Sequence, residues 1–320
     1  MSDNKKEKSW SLTRARMFHE CPRRFYYQYH YSKSGFAYDA PEDAQLALEM
    51  SRIKGMDMWV GEIVHQTIQW ALEQSKSGQI PSSAESRNYT RTLMSDGWRS
   101  SLKQLWRTGD HETHPNLFEH YYKMPVGNAV TDRLRNKANK CIDNYMGSEL
   151  FKWIISRPAG QWLPIDKYAS FRLDGLLFYV KFDFAIRDGQ TLTVYDWKTG
   201  KPSADELRQL ACYAMYTSQK WVIPIENVKV ASVHLQPDMI VDEHVVEEYD
   251  IEDMRGYARQ SFSAMLKCLR DPQKNITARD DFPMTGNFLR CARCNFRGIC
   301  EQGISYNTGA DGLSIDEEWE

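Results

Sequence analysis

The sequence predicts a mixed α/β fold in which helices flank a mixed β-sheet. Hydrophobic residues recur at helical spacing before about residue 76, and they alternate as in strands from about residue 165. Two Asp-Gly pairs interrupt the alternating segments, at 174–175 and 188–189, and such pairs are typical of hairpin turns. Helical spacing then returns. Helices from both halves of the chain are therefore expected around a sheet core at about 162–250.

The first half of the chain is predicted to be helical. Residues 9–31 suit a helix rich in arginine and aromatic residues, with Ser11 or Thr13 able to cap it. A short helix follows around 42–53, and residues 59–75 show a second clear helical stripe. Prolines and glycines interrupt residues 76–161, which we interpret as a helical insertion.

Strands are predicted in the second half. The alternating segments are 165–173, 176–187, 191–198, 228–236 and 244–251, with helices at 203–219 and 252–270. A cysteine-rich knot occupies 288–303. We expect one domain from 9 to 303, a flexible segment at 1–8, and a mobile acidic tail at 304–320.

Composition excludes several classes of protein. The chain has 320 residues, 42% hydrophobic and 26% charged, which is typical of a globular protein with its own core. No apolar run approaches the length needed to cross a bilayer, and residues 1–10 do not resemble a secretory signal, so we expect a cytoplasmic protein without a membrane partner. The net charge of −2 means that any nucleic-acid contact requires a local positive surface.

Two aspartates and a lysine form the most informative pattern. Asp183 lies among bulky apolar neighbours in its strand, where an unpaired carboxylate is costly. Asp196 and Lys198 share a face of the next strand, and the hairpin can bring Asp183 beside Asp196. Carboxylate oxygens hold Mg²⁺ or Mn²⁺, which suits phosphodiester hydrolysis with Lys198 beside the phosphate. The alternative is a surface ion pair between Asp196 and Lys198.

Three residues elsewhere could support such a site. Gln209 and Tyr213 are an i,i+4 pair on the following helix, so they lie on one helix face and could reach the metal site or the phosphate. Ordinary amphipathic packing explains the pair equally well. His65 lies next to the apolar stripe of the helix at 59–75, as a structural residue or as a third ligand for the metal held by the two aspartates.

Three of the seven cysteines cluster near the C-terminus, at Cys291, Cys294 and Cys300. A cytosolic chain uses such clusters to bind metals rather than to form disulfides. We select Cys21 as the fourth thiol because Pro22 exposes it at a helix bend. Both zinc and iron–sulfur clusters accept four thiolates, and the single C-x-x-C pair favours a [4Fe–4S] cluster.

Together these motifs resemble the PD-(D/E)XK nuclease superfamily, specifically its RecB/AddB-like branch with an iron–sulfur cluster, which includes small CRISPR-associated exonucleases. The resemblance runs from residue 11 to 300 and leaves out the insertion and the tail. It includes the segment from Ser11 to Tyr27, Gly61-x3-His65, Asp183, Asp196-Trp197-Lys198-Thr199-Gly200 and Gln209-x3-Tyr213. One departure is Phe182, which stands where the superfamily's name has proline.

The resemblance implies a restriction-endonuclease-like core and a metal-dependent deoxyribonuclease. It implies that His65, Asp183, Asp196 and the Trp197 carbonyl bind Mg²⁺ or Mn²⁺, with Lys198 as the catalytic lysine and Gln209 and Tyr213 as the Q-x3-Y motif. It further implies that Cys21, Cys291, Cys294 and Cys300 hold a structural [4Fe–4S] cluster.

The sequence is compatible with several functions. The main hypothesis is an exonuclease or end-processing enzyme acting on single-stranded DNA, because arginines and aromatic rings in the first helix could hold phosphates and bases. The rivals are a non-catalytic nucleic-acid-binding or scaffold subunit, and a zinc-stabilised helical protein. Any motor would be a separate chain, such as a helicase, and a CRISPR or recombination protein is a further candidate partner.

Overall fold

The computed structural model describes residues 9–111, 113–163, 169–301 and residue 303. The predicted flexible segment 1–8, the acidic tail 304–320 and the start of the strand predicted at 165–173 lie outside the described residues. The α-helices are α1 Leu12–Glu20, α2 Pro22–Tyr26, α3 Ser32–Ser34, α4 Glu42–Met50, α5 Met56–Lys76, α6 Ser83–Leu102, α7 Phe118–Tyr121, α8 Asn128–Met146, α9 Glu149–Ser156, α10 Glu206–Trp221, α11 Glu248–Lys267 and α12 Phe288–Ala292.

The strands are short and lie in more than one sheet. They are β1 Ser9–Trp10, β2 Ile53–Lys54, β3 Asn116–Leu117, β4 Ala169–Leu173, β5 Leu176–Val180, β6 Phe184–Asp188, β7 Thr191–Lys198, β8 Val228–His234 and β9 Ile240–Val245. A four-stranded sheet has the order β6-β7-β8-β9, with β7 and β8 parallel and the outer pairs antiparallel. A three-stranded sheet has the order β1-β5-β4.

The described chain groups into two compact units. Of the described residues, the first unit contains 9–12 and those within 54–262, and the second contains 13–53 and those within 263–303.

The first unit contains both of these sheets. Residues such as Tyr195 and Trp197 on one face of the four-stranded sheet join a single hydrophobic core with α5, α8 and α9. Helix α10 packs against the opposite side, where Tyr213 reaches Asp196. Because successive strand residues point to opposite faces, each strand contributes to both layers.

The second unit is built around aromatic side chains. Phe25, Tyr26 and Tyr27 of the N-terminal segment contact Phe282 and Phe296, and all five are less than 9% exposed. Such clustered rings bury much apolar area in a small volume. The aromatic residues at the start of the chain therefore form a core in this unit.

Three predicted elements differ from the structure. The strand predicted at 176–187 is two strands, β5 and β6, which belong to different sheets and are separated at residues 181–183. The helix predicted at 9–31 begins only at Leu12 and restarts at Pro22, whose missing N–H suits a first helical turn. The strand predicted at 244–251 is instead β9, which ends at Val245, before α11 begins at Glu248.

Among the described helices, none combines the length and apolar character needed to cross a membrane.

Candidate active site

The β6–β7 hairpin positions the two aspartates. Its turn contains Gly189 at φ +61°, a conformation that glycine adopts without strain. The register pairs Phe184 with Tyr195, so one further step places Asp183 opposite Asp196. The backbone N–H of Asp183 continues this pattern by donating to the Tyr195 carbonyl at 3.2 Å. The predicted juxtaposition of the two carboxylates is therefore present.

Asp183 connects the hairpin to helix α5. Its Oδ1 atom lies 2.8 Å from Nδ1 of His65, and its Oδ2 atom accepts the backbone N–H of Trp197 at 2.8 Å. Both contacts fix the orientation of the carboxylate. His65 therefore stands beside the first aspartate, as the resemblance implied.

Asp196 belongs to a closed ring of polar contacts with three other side chains. Lys198 forms an ion pair with Oδ2 of Asp196 and donates to Oε1 of Gln209 at 2.8 Å. The amide nitrogen of Gln209 donates to the Tyr213 hydroxyl at 2.6 Å, and that hydroxyl lies 2.9 Å from Oδ1 of Asp196. Gln209 uses one acceptor and one donor in this ring, a pair of functions that an ionised glutamate does not have.

The Tyr213 hydroxyl also lies 2.6 Å from the backbone carbonyl of Lys181. Since a hydroxyl carries a single proton, it donates to this carbonyl or to Asp196 at any moment. The contact ties α10 to the segment that separates β5 from β6. Helix α10 is thus held against both aspartate-bearing segments.

Burial raises the pKa of Asp196, and the nearby Asp183 carboxylate raises it further. Lys198 and the Tyr213 hydroxyl oppose this shift. For His65, burial acts to lower the pKa, but the attraction of Asp183 outweighs it and the net pKa is raised. A buried carboxylate that faces a second carboxylate indicates a site that gains stability when a cation binds.

The backbone of β7 adds an oxygen to this edge of the sheet. The Lys198 carbonyl accepts a hydrogen bond from the Leu235 N–H, on the side of β7 that faces β8. Because successive residues of a strand direct their backbone N–H and carbonyl groups to alternate sides, those of Trp197 point to the other side, where Asp183 lies. Across the described residues, no three His, Cys, Asp or Glu side chains already form a complete metal-binding group. The oxygen-rich donors still fit Mg²⁺ or Mn²⁺, because the two facing carboxylates and the Trp197 carbonyl are the hard oxygen ligands that these ions prefer.

The loop after Lys198 is anchored by residues that the sequence did not reveal. Gln236 donates to the Thr199 carbonyl at 2.7 Å, and Glu206 accepts the Ser203 N–H at 2.8 Å. Glu206 also lies 3.3 Å from Nε2 of His234, which pairs with Lys198 in the strand register. The contact between Glu206 and His234 depends on the parallel register of β7 and β8, so no local sequence pattern marked it.

The four selected cysteines line one cavity of about 290 Å³ in the second unit. Cys21 caps α2, Cys291 lies in α12, and the N–H of Cys294 donates to the Cys291 carbonyl at 3.1 Å. Cys300 reaches the cavity from the following turn. The lining also contains four arginines, Arg24, Arg290, Arg293 and Arg297.

The thiols of this cavity influence one another. Burial raises the pKa of Cys294 to about 11, and for Cys291 burial and the neighbouring Cys21 and Cys300 raise the pKa. A metal cluster reverses this tendency because it binds thiolates, and the arginines would balance their negative charge. The cavity therefore fits a cluster held by four thiolates.

The remaining cysteines lie elsewhere. Cys141 and Cys212 are at most 3% exposed within helices of the first unit, and burial raises their pKa values to about 11 and about 12. Such thiols behave as small apolar residues. Cys268 does not line the cavity. None of the seven cysteines, all of which are described, forms a disulfide.

In the first helical segment, Arg23 and Phe25 are buried and so are not available to DNA. Arg23 is 6% exposed and donates from Nε to the Phe282 carbonyl at 2.8 Å. Phe25 is 5% exposed and contacts Phe18 and Tyr29. Rings buried in this way cannot stack on bases, so the alternative explanation, core packing, accounts for Phe25.

Fold and site together define an α/β protein with paired carboxylates and a lysine at the edge of a mixed sheet. The family model of the PD-(D/E)XK nuclease superfamily matches residues 9–301. The chain belongs to this superfamily, and the predicted mixed α/β, restriction-endonuclease-like fold class is confirmed.

Among solved structures, the chain is similar to a "putative exonuclease" from Eubacterium rectale, with a TM-score of 0.40 and 12% identity over 83% of this chain and 85% of that chain. No curated protein matches the sequence.

Proposed function

We propose that this protein is a divalent-metal-dependent nuclease that hydrolyses phosphodiester bonds of DNA, acting as an exonuclease or end-processing enzyme on single strands. Membership of the superfamily supports nuclease chemistry. The observation that carries the proposal is the closed ring of Asp196, Lys198, Gln209 and Tyr213, with Asp183 opposite Asp196. A structural ion pair at a surface would not need a buried carboxylate that Tyr213 contacts and a lysine that Gln209 holds in place.

We assign the metal to the oxygen atoms of Asp183, Asp196 and the Trp197 carbonyl, with His65 as the nitrogen ligand. When bound, Mg²⁺ or Mn²⁺ polarises a phosphate oxygen and lowers the pKa of a water molecule. The chain itself supplies orientation. The Trp197 N–H and His65 hold the Asp183 carboxylate, and Tyr213 holds Asp196, so neither carboxylate has to reorganise when the substrate arrives.

Lys198 has the role of stabilising negative charge on the phosphate. Its side chain is 21% exposed, so it can contact a substrate while it remains tied to Gln209. Three donors on one ammonium group allow it to keep the Gln209 contact and still donate to a phosphate oxygen. Gln209 is therefore a positioning residue that directs the ammonium toward the reacting group.

We further propose that Cys21, Cys291, Cys294 and Cys300 hold a [4Fe–4S] cluster with a structural role. The shared cavity and its arginines support this assignment. A cluster of several irons and sulfides is wider than one ion, so it suits thiols that line a cavity rather than converge on one point. Iron and acid-labile sulfide analysis of anaerobically purified protein tests it, and bound zinc without sulfide would reject it.

The nuclease assignment is tested with end-labelled single- and double-stranded DNA in Mg²⁺, Mn²⁺ or EDTA. We expect metal-dependent cleavage that Lys198→Ala reduces at least a hundredfold, because the charge that Lys198 places at the phosphate is lost. Lys229→Ala is the matched control, since this lysine is on the neighbouring strand and pairs with Glu243 at the surface. Equal activity of Lys198→Ala and Lys229→Ala would reject the site.

The same assay identifies the preferred substrate and distinguishes exonuclease from endonuclease cleavage. Circular single strands that resist cleavage, while linear ones are shortened from one labelled end, would establish an exonuclease. Cleavage of circles at the same rate would reject that part of the proposal.

A further inference from the structure

The helical insertion contains a cleft that the active site does not use. It lies between α6 and α8 and has a volume of about 500 Å³, and its twelve lining residues include Trp59, Arg87, Arg91, Met94, Trp98 and Arg135. Four of these side chains are arginines and none is acidic. Binding sites for ligands the size of one or two nucleotides have volumes in this range.

The segment around the cleft is locally basic. Residues 76–161 contain 13 Lys and Arg against 8 Asp and Glu, whereas the whole chain has a net charge of −2. The insertion therefore concentrates positive charge that the rest of the chain lacks. Local charge of this kind is what a nearly neutral protein needs to attract a polyanion.

The arginines of the cleft can turn toward a phosphate. Arg99 pairs with Asp96 at 3.7 Å and Arg135 with Asp132 at 2.9 Å, each within one turn of its own helix. These side chains are 53–71% exposed, and exposed pairs of this kind are weak. Arg91 donates to Asn88 at 2.9 Å. A phosphate that forms two hydrogen bonds with a guanidinium competes well with such partners.

Arg87 and the apolar wall give the cleft its shape. Arg87 pairs with Asp143 of α8. Trp59 is 5% exposed and packs so closely on α6 that a Cβ atom at Gly97 would lie 2.7 Å from its ring. Trp98 is only partly buried, and its ring stands edge-on to His120. Trp98 thus leaves aromatic surface at the cleft against which a base can pack.

We propose that this cleft binds single-stranded DNA, with the arginines on its phosphates and Trp98 and Met94 against unpaired bases. This inference rests on the proposed function and extends it to a substrate-binding subsite. A narrow cleft with aromatic walls accepts unpaired bases, whereas a duplex keeps its bases stacked inside. Trp59 is six residues before His65 on α5, about 9 Å along the helix axis, a distance that a few nucleotides cover.

The test measures the binding of a fluorescent oligothymidine to full-length protein by fluorescence anisotropy. Every protein in the test contains the Lys198→Ala substitution and the buffer contains EDTA, so that the oligothymidine is not cleaved. Arg91→Ala with Arg135→Ala is expected to weaken binding at least tenfold and to reduce the salt dependence of log K by about 1.4, the contribution of two phosphate contacts on a single strand. The matched control is Lys103→Ala with Lys152→Ala, which removes the same charge from exposed positions of the insertion outside the cleft. We expect less than a twofold effect from it.

The outcomes separate this inference from the proposed function. Any of four results would overturn the cleft assignment. These are unchanged binding by the cleft variant, an equal loss of binding in the control variant, equal competition by a duplex, and displacement of the oligothymidine by millimolar inorganic phosphate alone. Metal-dependent cleavage by the wild-type protein would survive each of these results. Conversely, normal binding in the cleft without any cleavage would reject the nuclease proposal and leave the cleft intact.

Discussion

Replacement of Tyr213 by phenylalanine tests the polar ring of the active site with almost no change in shape. The side chain is 2% exposed, so no water replaces the lost hydroxyl. Its hydroxyl accepts from Gln209 at 2.6 Å and is placed to donate to the Asp196 carboxylate at 2.9 Å. A neutral hydrogen bond contributes about 1 kcal/mol and one to a charged group about 1.5–3 kcal/mol. We therefore expect the free energy of unfolding to fall by about 2–4 kcal/mol.

Tyr145→Phe is the matched control for this measurement. Tyr145 is also fully buried in the first unit, but its hydroxyl has no hydrogen-bond partner among the described residues. Removing an unsatisfied hydroxyl leaves stability unchanged or raises it by about 1 kcal/mol. The two substitutions delete the same atom, so the difference between them reports the hydrogen bonds alone.

The assay is urea unfolding at pH 8 without metal, followed by single-turnover cleavage with Mg²⁺. Besides losing stability, Tyr213→Phe should slow cleavage about tenfold or more, because Asp196 and Gln209 lose their common partner. Equal stabilities of the Tyr213→Phe and Tyr145→Phe proteins, together with unchanged cleavage, would refute the ring as the basis of the site.

Three further predictions concern the same structure. Gly97→Ala should lower the free energy of unfolding by about 1–3 kcal/mol, because the added methyl group collides with Trp59. Gly256→Ala should raise the free energy of unfolding by up to about 1 kcal/mol, because an added Cβ atom there has no neighbouring atom within 4 Å. Thermal unfolding that shows a change of the same sign for both variants would contradict this prediction. Because the pKa of Asp196 is raised, protons should compete with Mg²⁺ for this carboxylate at a higher pH than they would at an ordinary one. The rise in Tm that Mg²⁺ produces should therefore shrink as the pH falls from 8 to 5. A rise in Tm that stays constant down to pH 4 would contradict this prediction. If the proposed cluster is present, Cys294→Ser should abolish its visible absorption and lower Tm, whereas Cys212→Ser, at a buried cysteine of α10, should leave the absorption unchanged. Retained absorption in the Cys294→Ser protein would exclude Cys294 as a ligand.

Local patterns identified several elements with their boundaries. Strand β7 runs over the predicted residues 191–198 because its alternation is continuous and an Asp-Gly turn precedes it. The turn at Asp174 and Gly175 has both residues at positive φ, at +50° and +76°, as a two-residue hairpin requires. The facing of Asp183 and Asp196 follows from this hairpin logic, since register depends on a short turn.

Elsewhere, local patterns did not predict which strands pair with each other. Alternation continues through residues 181–183, yet β5 pairs with β1 and β4 while β6 pairs with β7. Side-chain alternation says which face a residue occupies but not which strand it pairs with. Strand β9 is exposed at five of six positions and partly exposed at the sixth, so it has no apolar periodicity, and only its ladder with β8 defines it.

The amino-acid sequence alone identified the candidate site residues: the carboxylates, the lysine, the Gln209–Tyr213 spacing and the thiol cluster are local patterns of residue type. The tertiary structure decided how they act together. It closed the ring through α10, lined one cavity with Cys21 and the three C-terminal thiols, buried Arg23, and formed a basic cleft between α6 and α8. The physical reason is that residue type fixes the available donors, acceptors and charges, whereas burial and partners depend on chain segments far apart in sequence.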